Sequence, residues 1–280
     1  MQRILNCRTH DFAKCVSAGE LKQAIIASEG RVLMAEVAAS ASPLYGEVTN
    51  GELLCAFGCD LLLVKGMNCR TQAIQGCENL AHFKTLTGRL VGVSMEVLAD
   101  PSLDDPRACN LSNLALLQEA DFYCLTAYDK PGVTASRVID ALRQIRGMTD
   151  KLILVAKFYA SGVAEPLEYA SYVAAGADGV IVPAPAGCRG ASEEKVTRAL
   201  EAIQATGGLG ITTLSSSQEG ADEETVRQIA LASKRCGADM YNFGDAGVAG
   251  MADPQALYAF SMAVRGRRHT WVRMAASLAR

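Results

Sequence analysis

Hydrophobic positions follow two alternating rhythms along the chain. Short, almost continuous apolar runs occupy 32–38, 61–66, 90–96, 122–127, 152–158, 179–183, 209–214 and 240–243. Between them lie segments such as 136–146, 194–203 and 224–233, whose apolar residues recur three or four positions apart. The runs read as buried parallel strands, and the periodic segments as helices with one stripe to press against a sheet. The joints repeat as well: Phe57-Gly-Cys-Asp60, Glu119-Ala-Asp121, Gly176-Ala-Asp178 and Gly237-Ala-Asp239. Glycine closes a helix in the left-handed conformation, a small residue turns the chain, and Asp opens the next strand.

Eight runs starting roughly 30 residues apart match the pitch of a (β/α)8 barrel of the TIM type. A doubly wound sheet would carry a phosphate loop after its first strand, but Ala39-Ser-Ala-Ser-Pro-Leu-Tyr-Gly46 contains no GxGxxG or GxxxxGK[ST]. The pattern predicts one α/β domain over 1–280: an extra helix within about 1–30, the barrel over about 31–265, and a helical tail over about 266–280.

Composition narrows the function. Half of the residues are hydrophobic, enough for a sizeable core, and the net charge of −3 sets up no field for nucleic acid or an anionic membrane. The arginines Arg265, Arg267, Arg268, Arg273 and Arg280 read as a solvated terminal helix or a subunit contact. The apolar segment 257–264 with Trp271 offers residues for docking and points to a homo-oligomer. Ten cysteines are scattered without a CxxC pair, as expected of buried thiols in a reducing cytoplasm. The N-terminus lacks a signal core, and no run is long enough for a transmembrane helix.

In a barrel the chemistry sits at the carboxyl ends of the strands. There the sequence places Glu36, Lys65, Glu96 and Lys157, two carboxylates and two ammonium groups from separate strands. Such mixing shifts pKa values and suits acid/base or Schiff-base work. Lys157, alone among branched apolar residues, is the Schiff-base or electrophile candidate; Lys65 holds substrate charge, and Glu36 and Glu96 act as acid and base. Alternation makes this testable: Glu36 shares a face with Val32 and Met34, and Lys157 with Ile153 and Val155. The structural alternative is that the four form ion pairs plugging the barrel, leaving a binding or regulatory protein.

Two late loops suggest an anion site. Ser215, Ser216 and Ser217 follow the seventh run; Asn242, Gly244, Asp245 and Gly247 end or follow the eighth, before Asp253-Pro254 opens a helix. Loops in these two places form the phosphate cup of many barrels. No cofactor is expected. A magnesium ion on Glu36 and Glu96 is the alternative, giving a metal-assisted lyase or hydrolase. His10, His82 and His269 fall away from strand ends, which argues against histidine-held zinc. Tyr45, Tyr128 and Tyr159 are candidates for aromatic walls.

Across about 32–260 the chain resembles the phosphate-binding (β/α)8-barrel superfamily. Within it, Ala35-Glu-Val-Ala-Ala-Ser-Ala-Ser-Pro-Leu-Tyr-Gly46 is similar to the first-strand segment of indole-3-glycerol-phosphate synthases, where a glutamate and a lysine precede a Ser-Pro turn. Ala38 stands in place of that lysine, and the spacing from Glu36 to Ser42-Pro43 is longer by one, so that activity is not carried over. The resemblance implies a barrel, a phosphate end and a small-molecule site. The expected function is a lyase, aldolase-like, or an isomerase acting on a small anionic, phosphorylated metabolite.

Overall fold

The computed structural model describes residues 3–6, 17–216 and 218–276. A helix, α1 (Ala18–Ile26), precedes β1 (Val32–Ala38). Then follow α2 (Asn50–Ala56), β2 (Leu61–Lys65), α3 (Leu80–Thr87), β3 (Leu90–Glu96), α4 (Leu111–Leu116) and β4 (Phe122–Ala127). The second half runs through α5 (Ala135–Arg146), β5 (Leu152–Lys157), α6 (Pro166–Ala174), β6 (Gly179–Pro183), α7 (Glu193–Ala205) and β7 (Leu209–Leu214). It ends with α8 (Glu223–Arg235), β8 (Met240–Phe243) and α9 (Pro254–Met274). All eight strands pair in parallel and in order, and β8 closes on β1, giving a (β/α)8 barrel.

The repeated joints lock the strands in register. Asp60, Asp121, Asp178 and Asp239 each accept a main-chain N–H from the preceding strand, at Leu33, Val91, Ile153 and Gly210, with distances of 2.7–2.9 Å. Each also donates its own N–H to the carbonyl of that same residue at 2.8 Å. Thus β1–β2, β3–β4, β5–β6 and β7–β8 are clamped at their amino ends. Gly58, Gly176 and Gly237 turn into these joints at φ of 97°, 114° and 85°, where a Cβ would be strained.

One joint anchors the C-terminal helix. Asp60, almost wholly buried, faces Arg265 and Arg273, each with N–O of 2.6 Å. Arg265 also donates from Nε to Ser261 at 2.8 Å. Helix α9 breaks at Gly266 (φ 69°, ψ 174°), which brings both arginines to the same carboxylate. These two arginines are therefore internal, not solvated. Leu257, Ala259, Phe260 and Val264 likewise pack into the chain's own core, so this segment offers little to a second subunit; Trp271 and Val272 remain exposed.

Strand alternation divides the core. Val32, Met34, Leu61, Leu63, Cys124, Leu154 and Ile211 fill the barrel interior, where Leu21, Ala24 and Ile25 of α1 join them. Helix α1 sits at the amino-end floor: Ala18 N–H donates to Asp150 O at 2.9 Å, and Lys22 reaches Gly207 O. Leu33, Val91, Ile153, Val155 and Val182 face outward and pack against the helices. At the carboxyl end the interior turns polar, with Glu36, Lys65, Ser94, Thr126, Thr213 and Asn242 in place of aliphatic residues.

Candidate active site

The inward parity of β1, set by Val32 and Met34, carries Glu36 into the barrel. Its Oε1 accepts from Asn242 Nδ2 at 2.9 Å, and its Oε2 lies 3.3 Å from Lys65 Nζ. Asn242 Nδ2 also donates to Thr213 Oγ1 at 2.9 Å. A chain of contacts from β7 and β8 therefore fixes a carboxylate on β1, which fixes an ammonium on β2. Burial works against the Lys65 charge. The Glu36 carboxylate, helped by Tyr128 and Asp245, more than offsets it and holds the Lys65 pKa well above its ordinary value.

Lys65 opens onto a cavity of about 270 Å3 lined by Ser40, Gly66, Ser94, Glu96, Arg107, Thr126, Tyr128 and Asp245, among others. At roughly 30 Å3 per water this holds about nine waters, or a small metabolite. Tyr128 and Phe158 stack at 6.0 Å between centroids, and Lys65 Nζ lies 5.7 and 5.9 Å from their rings. Ser94 and Thr126, on the neighbouring strands β3 and β4, share a hydrogen bond of 2.7 Å. Glu96 pairs with Lys130 at 2.5 Å. Asp245, half-buried, has no hydrogen-bond or ion-pair partner among the described residues.

Lys157 is separated from this group. Its strand mates Ile153 and Val155 belong to the outer core, whereas Ala156 belongs to the interior, so Lys157 points away from the barrel axis. Its Nζ lies 3.2 Å from Phe158 O, 3.5 Å from Tyr128 O and 3.9 Å from Asp129, against the Tyr159 ring at 4.0 Å. Burial lowers its pKa, opposed by Asp129 and Glu168. The amine thus supports the main chain of the two aromatic walls from behind. Of the sequence-derived tyrosines, Tyr128 reaches the cavity; Tyr159 hydrogen-bonds Glu168 behind the wall, and Tyr45 lies exposed on the loop after β1.

The loops after β7 and β8 do meet, but a side chain unmarked by sequence reading lies between them. Glu219 is almost wholly buried, and its Oε1 accepts the Ala246 N–H at 3.1 Å. A Cβ at Gly244 would stand 2.5 Å from that oxygen. Burial raises the Glu219 pKa, and the nearby charges of Glu36 and Asp245 add to the rise, against hydrogen bonds from main-chain N–H groups. Ser215 is half-buried, Ser216 exposed in a left-handed turn (φ 59°), and Ser217 lies outside the described residues. Gly247 is hemmed in by the main chain of 251–253.

Among the described residues no group of three or more His, Cys, Asp or Glu side chains is arranged to hold a metal. Each carboxylate named for magnesium already has an ammonium: Lys65 on Glu36, Lys130 on Glu96. Cys124 lies inside the barrel, its thiol pushed up to about 12 by burial, which disfavours a nucleophilic thiolate. No described helix is long and apolar enough to cross a membrane.

A family model described as "Domain of unknown function (DUF7916)" matches residues 5–280. The chain belongs to this family. No curated protein matches the sequence. Solved structures of similar shape include the tetrameric deoxyribose phosphate aldolase from Aeropyrum pernix, at 12% identity and a TM-score of 0.54, covering 88% of this chain and 98% of that one. A fructose-bisphosphate aldolase from Slackia heliotrinireducens matches at 12% identity and TM-score 0.53, covering 92% and 90%. GGGPS from Thermoplasma volcanium matches at 14% and 0.51, covering 88% and 96%. At these identities the likeness shows the (β/α)8-barrel fold alone, and the chemistry of the DUF7916 chain has to be argued from its own residues.

Proposed function

We propose that this barrel is an enzyme of the lyase or isomerase type that acts on a small anionic carbonyl metabolite. The observation that carries the reading is Lys65: an ammonium held charged by a buried carboxylate, facing a polar cavity at the carboxyl ends of the strands. A charged lysine does not attack a carbonyl; it stabilises negative charge developing on oxygen. In this reading Asp245, the cavity carboxylate with no hydrogen-bond or ion-pair partner among the described residues, takes the proton. If the proton leaves the carbon beside the carbonyl, the electron pair moves to the carbonyl oxygen as an enolate and the proton returns elsewhere, an isomerisation. If it leaves a hydroxyl one carbon further out, that oxygen becomes a new carbonyl, the carbon–carbon bond breaks, and its electron pair forms an enolate on the remaining carbonyl fragment, an aldol cleavage. Lys65 serves both, and Glu36 and Asn242 are positioning residues behind it.

Two of the similar barrels are aldolases, which supports this reading. Thermal-shift screening against sugar phosphates and keto acids tests it: stabilisation by a subset, abolished by Lys65→Met, is expected. Borohydride added to the same mixtures should leave Lys65 and Lys157 unmodified, whereas a reduced adduct at either would replace this chemistry with a Schiff base.

A further inference from the structure

The proposed function gives the substrate an anionic group, and the expected place for it is the pair of loops after β7 and β8. In this chain three main-chain donors of the loop after β8 are already engaged internally. Gly244 N–H donates to Leu214 O at 2.8 Å, Ala246 N–H to Glu219 Oε1 at 3.1 Å, and Val248 N–H to Met251 O at 2.9 Å. The Glu219 carboxylate occupies the gap, and Asp245 adds a second acidic group beside it. A phosphate there would face two carboxylates and compete for hydrogen bonds already made, with like-charge repulsion in a partly buried place.

Across the cavity the chemistry is reversed. Arg107 is fixed at the end of β3 through its own main chain: Glu96 N–H donates to Arg107 O at 2.9 Å, and Cys109 N–H to Glu96 O at 2.7 Å. Asp105 orients the guanidinium, accepting Nε–H at 3.0 Å and NH2 at 2.8 Å. The carboxyl of Asp105 is held down at about 2, first by these Arg107 hydrogen bonds. The remaining N–H groups of the fork are engaged by no other described residue, and the side chain is about half exposed on the cavity wall. Gly66, at φ 64° beside it in the lining, leaves open space where a Cβ would stand. A preset guanidinium with spare donors suits a planar or tetrahedral oxyanion.

We propose that the substrate's anionic group, a phosphate or carboxylate, is bound by Arg107 on the β3 side of the mouth and not by the loops after β7 and β8. Arg107 is then a specificity-determining residue, and the reacting carbonyl lies between it and Lys65. This rests on the anionic substrate of the proposed function, but its test needs no turnover. Inorganic phosphate is titrated at constant ionic strength into the whole chain, read by 31P line broadening, for wild type, Arg107→Gln, Arg107→Lys and Ser216→Ala. Saturable binding is expected for wild type, weakened at least about tenfold by Arg107→Gln and less by Arg107→Lys, and unchanged by Ser216→Ala. Unchanged melting temperature in Arg107→Gln separates lost binding from lost fold, and Arg107→Lys keeps the test open if that variant is unstable. Binding that survives Arg107→Gln, or is lost in Ser216→Ala, or is missing from wild type, overturns the assignment. None of these outcomes touches the Lys65–Asp245 chemistry, which fails only by its own assay.

Discussion

Glu36 and Lys65 should behave as one coupled unit when either is neutralised. Their side chains are 6% and 11% exposed and 3.3 Å apart. At an effective dielectric of about 20, the attraction across that distance is about 5 kcal/mol, much of it offset by the cost of taking both charges out of water. Lys65→Met leaves Glu36 buried with Asn242 as its remaining hydrogen-bond donor, and should cost about 3–5 kcal/mol. Glu36→Gln turns an amide N–H2 towards the ammonium and should cost a similar amount. The double variant removes both charges and keeps the Asn242 contact, so it should lose less than the sum by about 2–3 kcal/mol. Urea unfolding followed by circular dichroism and tyrosine fluorescence, compared at matched m-values, measures the cycle. It is run at pH 7. A raised lysine pKa contributes stability that is complete below the unfolded-state value and lost only as pH rises through the folded one. Single-variant costs that add to within about 0.5 kcal/mol in the double variant would refute the coupling and the account of how Lys65 is held.

Three further variants test other parts of the structure. Asp60→Asn leaves Arg265 and Arg273 without their carboxylate at the floor of the barrel, and should destabilise by about 3–5 kcal/mol in urea unfolding. Glu219→Gln keeps an acceptor for Ala246 but removes a charge that burial disfavours. Because the folded pKa is raised, the penalty in wild type is present above it and disappears as pH falls through it. The variant should therefore exceed wild type in melting temperature at neutral pH and converge with it in acid. Gly92→Ala would push a methyl into the Phe122 ring in the barrel interior and should cost about 1–3 kcal/mol, with Phe122→Leu restoring part of the loss.

The architecture was legible because its signals are local. Eight apolar runs, helical stripes between them and the Gly-x-Asp joints each report on a few residues, and the joint aspartates turned out to clamp strands in pairs. The interior site was half legible. Glu36 and Lys65 share their strands' inward parity, but parity counts from strand starts that the sequence fixes only to within a residue. One residue of register separates Lys157, which faces the helices, from Ala156, which faces the axis. Ser94 and Thr126 stood out only as small polar residues in apolar runs; the register pairs Ser94 with Cys124 and Glu96 with Thr126, and it is the inward parity of both strands that lets the two hydroxyls meet. Arg107 and Lys130 come from long loops with no periodicity, so their approach to Glu96 depends on tertiary folding. Glu219 stood in a hydroxyl-rich stretch that resembles an anion loop; its burial against Ala246 could not be read from composition.

The central claim is that Lys65 and Asp245 move a proton beside a carbonyl. Proton–deuterium exchange measures this without knowledge of the full reaction. Sugar phosphates and keto acids are incubated with the protein in D2O, and loss of the 1H signal at the carbon next to the carbonyl is followed by NMR. Wild type should catalyse exchange in at least one compound, and Asp245→Asn and Lys65→Met should each slow it by about 100-fold or more. Exchange that persists unchanged in both variants, or that is absent in wild type for every compound stabilising the protein, would contradict the account.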